Sequence, residues 1–179
     1  GTKVQVLNGG VVHVDVDVFQ NRNFPGLGGD GVIVVGPNST FDRGAAHVSW
    51  LLDGPTVTLR VQGTVDNVTI RNNARLEIGR DNAIEERIQT NAHGGTLASF
   101  GADRTLDVGY DGTGPTREHR FDGSNGFDLT LNGLMSVFPG GTASYTYLVD
   151  TARLTAAGGV EFGLSNKNYQ QQPMRLANG

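Results

Sequence analysis

Short runs of alternating apolar and polar residues dominate the chain, and the clearest set lies between residues 56 and 80. The apolar positions in its three runs are Val57, Leu59 and Val61, then Val68 and Ile70, then Leu76 and Ile78. In a β-strand this spacing places apolar side chains on one face and polar side chains on the other. The segments between the runs are rich in Gly, Asn and Asp, which turn a chain easily. The pattern predicts three consecutive short strands.

The N-terminal segment, residues 3–19, shows the same alternation, with valine at every second position of its later part. Asn8 and Gly9 separate its two apolar runs, and this dipeptide is typical of a two-residue β-hairpin turn. A buried strand is expected at Val32–Val35. Trp50, the only tryptophan, is expected to anchor the core.

Residues 82–92 are the one place where the pattern favours a short helix, because Ile84 and Ile88 lie four positions apart. From residue 94 to residue 164 short alternating runs resume, and most of them end in Gly or Asp-Gly. Such spacing is typical of antiparallel sandwiches and jelly rolls.

The whole pattern predicts an all-β fold, with an antiparallel β-sandwich or jelly-roll-like body formed by residues 1–164 as a single domain. Residues 165–179 are predicted to form a polar C-terminal arm. The alternative is a β-helix or β-prism, that is, a solenoid-like module, because residues 56–80 fit one coil of three strands with Asn and Gly corners. No second stretch repeats that coil in recognisable register, and this favours the sandwich.

Composition narrows the function classes. The chain has no cysteine, so its fold must stand without disulfides or thiolate metal sites. The net charge of −4 and the lack of any Lys/Arg run argue against a nucleic-acid partner. No apolar run approaches the roughly 20 residues that span a bilayer, and the first residues lack a signal-peptide pattern. We therefore expect neither a nucleic-acid nor a membrane partner.

His13, Asp15 and Asp17 would share one face of a continuous strand. Two carboxylates and an imidazole in that arrangement could bind a divalent cation or act as acid and base. The favoured interpretation is a charged, solvent-facing side of an edge strand, which discourages aggregation.

The densest acidic cluster comprises Asp103, Asp107 and Asp111, with Glu118 and His119 nearby. Glycoside hydrolysis would need two carboxylates about 5 to 10 Å apart in a cleft. Scattered aspartates in turns are the favoured interpretation.

Tyr145 and Tyr147 alternate along one run, and Phe127 could join them from a neighbouring strand. Core packing is the favoured interpretation of these aromatic residues, and a ligand platform is the alternative. The glycines of residues 26–31 precede a strand, whereas a phosphate-binding loop follows one and opens a helix. No nucleophile motif is present, so we predict no catalytic residue, no cofactor and no metal site.

The last fifteen residues lose all periodicity, and an extended arm of this kind is either frayed or laid across a neighbouring subunit. The candidate assembly residues within it are Asn168, Tyr169, Gln170, Gln171, Gln172, Pro173, Met174, Arg175 and Leu176.

The run Asn67–Asn73 resembles the coil motif of parallel β-helical proteins, including phage tailspikes and polysaccharide lyases. The wider chain is rich in Gly and Asn, lacks cysteine and ends in a polar arm. In these respects it resembles small phage virion proteins such as head decoration proteins and tail fibre or spike modules. The resemblance implies a symmetric assembly, with a homotrimer favoured, in which neighbours complete the arms and sheet edges.

These observations predict a non-enzymatic structural subunit of a phage-like virion, assembled in the host cytoplasm. A capsid decoration (cement) protein is preferred and a tail fibre or spike module comes next. Expected partners are copies of the chain and other virion proteins such as the major capsid protein, with a host-surface glycan as a candidate ligand. Two alternatives are a carbohydrate-binding or polysaccharide-cleaving β domain and a bacterial surface adhesin module.

Overall fold

The structure, a computed structural model, describes residues 4–19, 26–42, 49–91, 95–102 and 104, and beyond Arg104 the backbone of eight strands. In chain order the strands are β1 (Val4–Val6), β2 (Val11–Val14), β3 (Val18–Phe19), β4 (Leu27–Gly29), β5 (Val32–Val35), β6 (Thr40–Asp42), β7 (Trp50–Asp53), β8 (Thr58–Val61), β9 (Thr64–Arg71), β10 (Ala74–Ile78), β11 (Ile84–Asn91), β12 (Gly95–Ser99), β13 (Leu106–Gly109), β14 (Glu118–Asp122), β15 (Asp128–Leu131), β16 (Met135–Phe138), β17 (Thr146–Val149), β18 (Arg153–Ala156), β19 (Val160–Phe162) and β20 (Arg175–Leu176).

The strands form the walls of a β-solenoid, and every pairing among them is parallel. The first wall holds β1, β4, β7, β9, β11, β14, β17 and β20 in that order, and the second wall holds β2, β5, β8, β10, β12, β15 and β18. The third wall begins with β3 and β6, which pair with each other, and β6 also pairs with the start of β9. Later in the chain β13, β16 and β19 form a separate three-stranded sheet on this side.

The predicted antiparallel β-sandwich or jelly roll is therefore wrong, and the solenoid alternative describes the chain. Asn8 and Gly9 show the physical reason. Both adopt left-handed φ angles, 59° and 66°, but they turn the chain from the first wall to the second instead of folding β2 back onto β1. The predicted hairpin is wrong because each strand pairs one coil away, not with its neighbour in sequence.

The helix predicted at residues 82–92 is also wrong, since Ile84–Asn91 forms β11. Ile84 and Ile88 are both buried in the core, which a strand permits because residues four apart in a strand also share a face. The pairing of β11 with β9 shifts register between Ile84 and Arg87. The described residues contain no helix, and so none that is long and apolar enough to cross a membrane.

The core is a stack of aliphatic rows that run across the coils. In the second wall, Val12, Ile33, Leu59, Leu76 and Leu97 occupy equivalent register positions on successive strands. Four of these five side chains are buried, and Val12, on the first coil, is exposed. In the first wall Leu27, Leu52 and Ile70 form a matching row. Trp50 packs on Phe41 with ring centroids 4.7 Å apart, which confirms its predicted place in the core.

Corners between walls depend on residues that accept unusual backbone geometry. Asn72 and Asn73, with φ of 55° and 63°, turn the chain between β9 and β10, as predicted for a connector. Gly63 is required for a different reason, because a Cβ there would collide with the carbonyl oxygens of Ser39 and Gly36 in the preceding coil. The close approach of two coils at this corner excludes every other residue.

Candidate functional site

The outer face of the first wall carries polar side chains that bond from one coil to the next. The amide of Gln89 donates to the hydroxyl of Thr69 at 2.9 Å, and the amide of Asn67 donates to the carboxylate of Glu86 at 3.3 Å. Asn67 and Thr69 are nearly inaccessible to solvent although they face outward. These contacts join β9 to β11 and stabilise the stacking of neighbouring coils.

A charged corner lies at the end of β7 and β9. The guanidinium of Arg71 donates to Asp53 at 2.7 Å, and the amide of Asn72 donates to the other oxygen of the same carboxylate at 2.6 Å. The hydrogen bond to Asp53 is the main reason why the pKa of Arg71 is raised; burial acts in the opposite direction, and the negative charge of Asp53 adds a smaller upward effect. The Asp53 carboxylate is buried and accepts two charge-assisted or amide hydrogen bonds, so its role is to hold the backbone corner after β9 in place.

The outer face of the second wall carries a pair of arginines around one carboxylate. Glu77 accepts a hydrogen bond from Arg60 on one oxygen and from Arg75 on the other, each at 2.8 Å. The Arg60 guanidinium also lies over the Phe100 ring, 3.6 Å from its centroid. Burial by itself would raise the pKa of Glu77, but the hydrogen bonds from the two arginines outweigh it and the pKa is lowered.

This Arg60–Glu77–Arg75 group, named here the arginine pair, has more positive than negative charge. A carboxylate that is ionised and occupied by two donors is poorly suited to acid–base catalysis at neutral pH. The Arg75 side chain is 44% exposed. Its guanidinium can therefore contact an anionic group in solution as well as Glu77.

The structure does not bring His13, Asp15 and Asp17 together on one strand face as predicted. β2 ends at Val14, before the two aspartates. Asp17 accepts a hydrogen bond from the backbone N–H of Thr40 at 2.8 Å, and the Asp15 carboxylate lies over Gly36, so both reach toward the second coil. No group of three His, Asp or Glu side chains among the described residues could hold a metal ion.

The predicted acidic cluster is only partly within the described residues. Asp103 and Asp111 lie outside them. Asp107 is in β13 of the third wall, whereas Glu118 and His119 are in β14 of the first wall, beside Arg87 and Ile88 of β11. The backbone thus assigns these residues to two different walls.

Two of the three aromatic candidates, Phe127 and Tyr145, lie outside the described residues. Tyr147 is in β17, beside Arg120 and Arg175 in the register of the first wall. Its row continues through Leu51, Thr69 and Gln89.

Residues 168–174 of the predicted arm lie outside the described residues as well. Arg175 and Leu176 form β20, which pairs with β17 of the same chain.

Sequence reasoning missed the exposed apolar residues of the first coil. The large apolar side chains that the described part of the chain exposes to solvent are Val4, Leu7, Val11, Val12, Val16 and Phe19. All belong to the coil formed by β1, β2 and β3. Val11 and Phe19 alternate with the inward-facing Val12 and Val18 and therefore face outward. The other four, Val4, Leu7, Val12 and Val16, are named here the open face. The sequence signal for this exposed surface is the nearly continuous valine pattern of residues 4–18. Period-two alternation alone predicts that one face of these valines packs in a closed core.

The winding of parallel strands around three walls defines the class of the protein as a parallel β-solenoid. No protein-family model matches the chain, and neither a curated protein nor a solved structure matches it significantly.

Proposed function

We propose that the chain is a non-enzymatic structural subunit of a phage-like virion that serves as a module of a tail fibre or spike. The observation that carries the proposal is the uninterrupted parallel pairing of coils along both long walls. In such a fold each coil contacts only its neighbours, and the body extends in one direction as a continuous hydrogen-bonded unit. That geometry suits a part that spans distance and transmits load, so a fibre or spike module is now preferred over capsid decoration.

The outer faces support a structural role. The polar groups of the first wall bond between β9 and β11, and Asp53 bonds across the corner at Arg71. These side chains are used to hold coils together, and the carboxylates among them already accept strong donors. Catalysis would require groups that are free to exchange protons with a substrate.

The partners follow from this role. The chain associates with copies of itself, in a homotrimer or another symmetric arrangement, and with other virion proteins such as the major capsid protein. Its location is the virion, with assembly in the host cytoplasm.

A second candidate is a carbohydrate-binding domain, and the arginine pair favours it. The Arg60 guanidinium is positioned over the Phe100 ring, and Arg75 is partly exposed. Guanidinium groups fixed in this way suit recognition of the carboxylate or sulfate of an acidic glycan. In a spike module the two functions are compatible, since a structural rod can also contact a host-surface glycan.

The test is immunogold electron microscopy of phage-like particles purified from the source culture, with antibodies raised against the recombinant chain. Gold on the tail is the expected result. Gold over the head would support capsid decoration instead of a fibre or spike module, and particles without gold would overturn the virion role.

A glycan array probed with the purified chain is the complementary measurement. Binding of acidic glycans that is lost in Arg75→Ala, together with particles without gold, would move the assignment to the carbohydrate-binding domain. Thr96→Ala, the neighbour of Arg75 in the register of the second wall, removes no charge and serves as the control variant.

A further inference from the structure

The first coil exposes apolar surface that the coils beneath it bury. Val4 is 47% exposed, whereas Leu27, its partner in register one coil farther on, is 3% exposed. Val12 is 45% exposed, whereas Ile33, in the same row one coil farther on, is 3% exposed. The difference arises because, within the described strands, Ile33 has a coil on each side and Val12 has a coil on one side. The open face is therefore the unburied half of the interface that recurs between all coils.

The strand edges of the open face are unprotected. Natural proteins shield free edges with lysine, proline, bulges or inward-pointing charges. β1, β2 and β3 carry no charged residue, and their polar members are Gln5 and His13. Asp15 and Asp17 carry charges that could prevent pairing at the free edge, but both reach toward the second coil instead. The face thus offers both apolar side chains and free backbone hydrogen-bonding groups.

The occupant must supply a strand that runs parallel to β2 and an aliphatic side chain beside Val12. β18 of the chain itself presents such an edge in the second wall. The row that starts at Val12 continues in register through Leu97 to Leu129 of β15 and Leu154 of β18. Among the described residues no strand follows β18 in the second wall. Leu154 of one copy would therefore meet Val12 of another in the spacing that already repeats within the chain.

β20 competes with β1 of the incoming copy for the edge of β17. β20 pairs with β17 in the first wall, one strand beyond the last strands of the other two walls. If β2 of an incoming copy lies on β18, then β1 of that copy falls beside β17, where β20 lies. β20 is two residues long and β1 is three residues long, so the exchange replaces a shorter pairing with a longer one.

We propose that the open face is an interaction surface for a second copy of this chain, which stacks head to tail by placing its β18 edge against β2. This inference rests on the fold and is independent of the proposed virion role. The contact is heterologous, so it generates open stacks of copies and not a closed ring. Because β20 competes with β1, removal of residues 165–179 strengthens the stacking.

Sedimentation velocity of the intact chain over a wide range of protein concentrations tests the proposal. The expected result is a series of species that lengthens with concentration. Val12→Lys should raise the dissociation constant by more than about a hundredfold, since stacking would bury an unpaired ammonium between coils. Thr96→Lys adds the same charge on the outer face of an interior coil and should leave the series unchanged.

Val4→Lys provides a second open-face variant, because Val4 is in register with the buried Leu27. Far-UV circular dichroism verifies that each variant keeps its β-structure. Deletion of residues 165–179 should shift the series to longer species. A monomer at all concentrations in both the intact and the deleted chain would overturn the proposal. So would a trimer that does not lengthen with concentration, an outcome that leaves the proposed virion role standing. An assembly that the deletion abolishes would also overturn the proposal, because the arm and not the open face would then make the contact.

Discussion

Glu77 is a carboxylate on which two effects act in opposite directions. Burial would raise its pKa, and the hydrogen bonds from Arg75 and Arg60 lower it below its ordinary value. A carboxylate with a lower pKa in the folded than in the unfolded state stabilises the fold above its unfolded-state pKa. That stability is lost as the pH falls through the lower, folded-state pKa. The group therefore contributes at neutral pH and loses its contribution under acid conditions.

We expect Glu77→Gln to lower the free energy of unfolding at pH 7 by about 2 kcal/mol, because two charge-assisted hydrogen bonds are weakened. Below about pH 4 the wild type and the variant should converge, since the wild-type carboxyl is then protonated in the unfolded chain and increasingly so in the folded one. Urea unfolding at several pH values measures both effects.

Thr96→Ala, on the same outer face as Glu77, removes no ionisable group and is the control for this prediction. It should retain the wild-type pH dependence. If Glu77→Gln retained that dependence as well, the arginine pair would have no part in acid stability.

At the scale of elements, alternation identified strands but could not determine their partners. The runs at residues 57–61 and 76–78 correspond to β8 and β10. Period-two alternation is the same in parallel and antiparallel sheets, so only the turns can indicate whether neighbouring strands run parallel or antiparallel. The Asn8-Gly9 turn does not decide this, because the same dipeptide fits a solenoid corner and a hairpin. Ile84 and Ile88 were ambiguous for a similar reason, because a spacing of four fits a helix face and a strand face equally.

The candidate sites were less predictable than the strands. The polar position of Arg60 followed from alternation, but its partner Glu77 is 17 residues away, a separation that depends on the length of a coil. Asp15 and Asp17 were placed on a strand face because β2 was assumed to continue past Val14. Coil length and strand ends are set by long-range register, and a single sequence does not display them.

The aliphatic row of the second wall makes a prediction about packing. Leu76→Ala should lower the free energy of unfolding by about 3 kcal/mol, because it leaves a cavity between Leu59 and Leu97. Leu7→Ala makes the same chemical change on the open face and should cost less than about 0.5 kcal/mol in the monomer. Chemical denaturation monitored by the fluorescence of Trp50 compares the two.

Equal losses in the two leucine variants would contradict this account of the core. They would mean that the open face is covered in the isolated monomer, or that the row at Leu76 relaxes to fill the cavity.

At the scale of the whole molecule, stability is shared between coils and their interfaces. Solenoids behave as nearly one-dimensional stacks, in which terminal repeats have one neighbour and interior repeats have two. Among the described strands, β8 and β10 each have a partner on both sides, whereas β2 has a partner on one side. The first coil should consequently open more readily than the interior.

Hydrogen exchange at low protein concentration should display this gradient. Backbone N–H groups in β8 and β10 should exchange at least about 10³-fold more slowly than those of β2 that point away from β5, since interior opening approaches global unfolding. Raising the protein concentration should then slow exchange in β2 and leave β8 unchanged, because stacking supplies the missing neighbour. Uniform protection at low concentration would mean that the monomer already covers its first coil, and the free edge on which head-to-tail stacking depends would not exist.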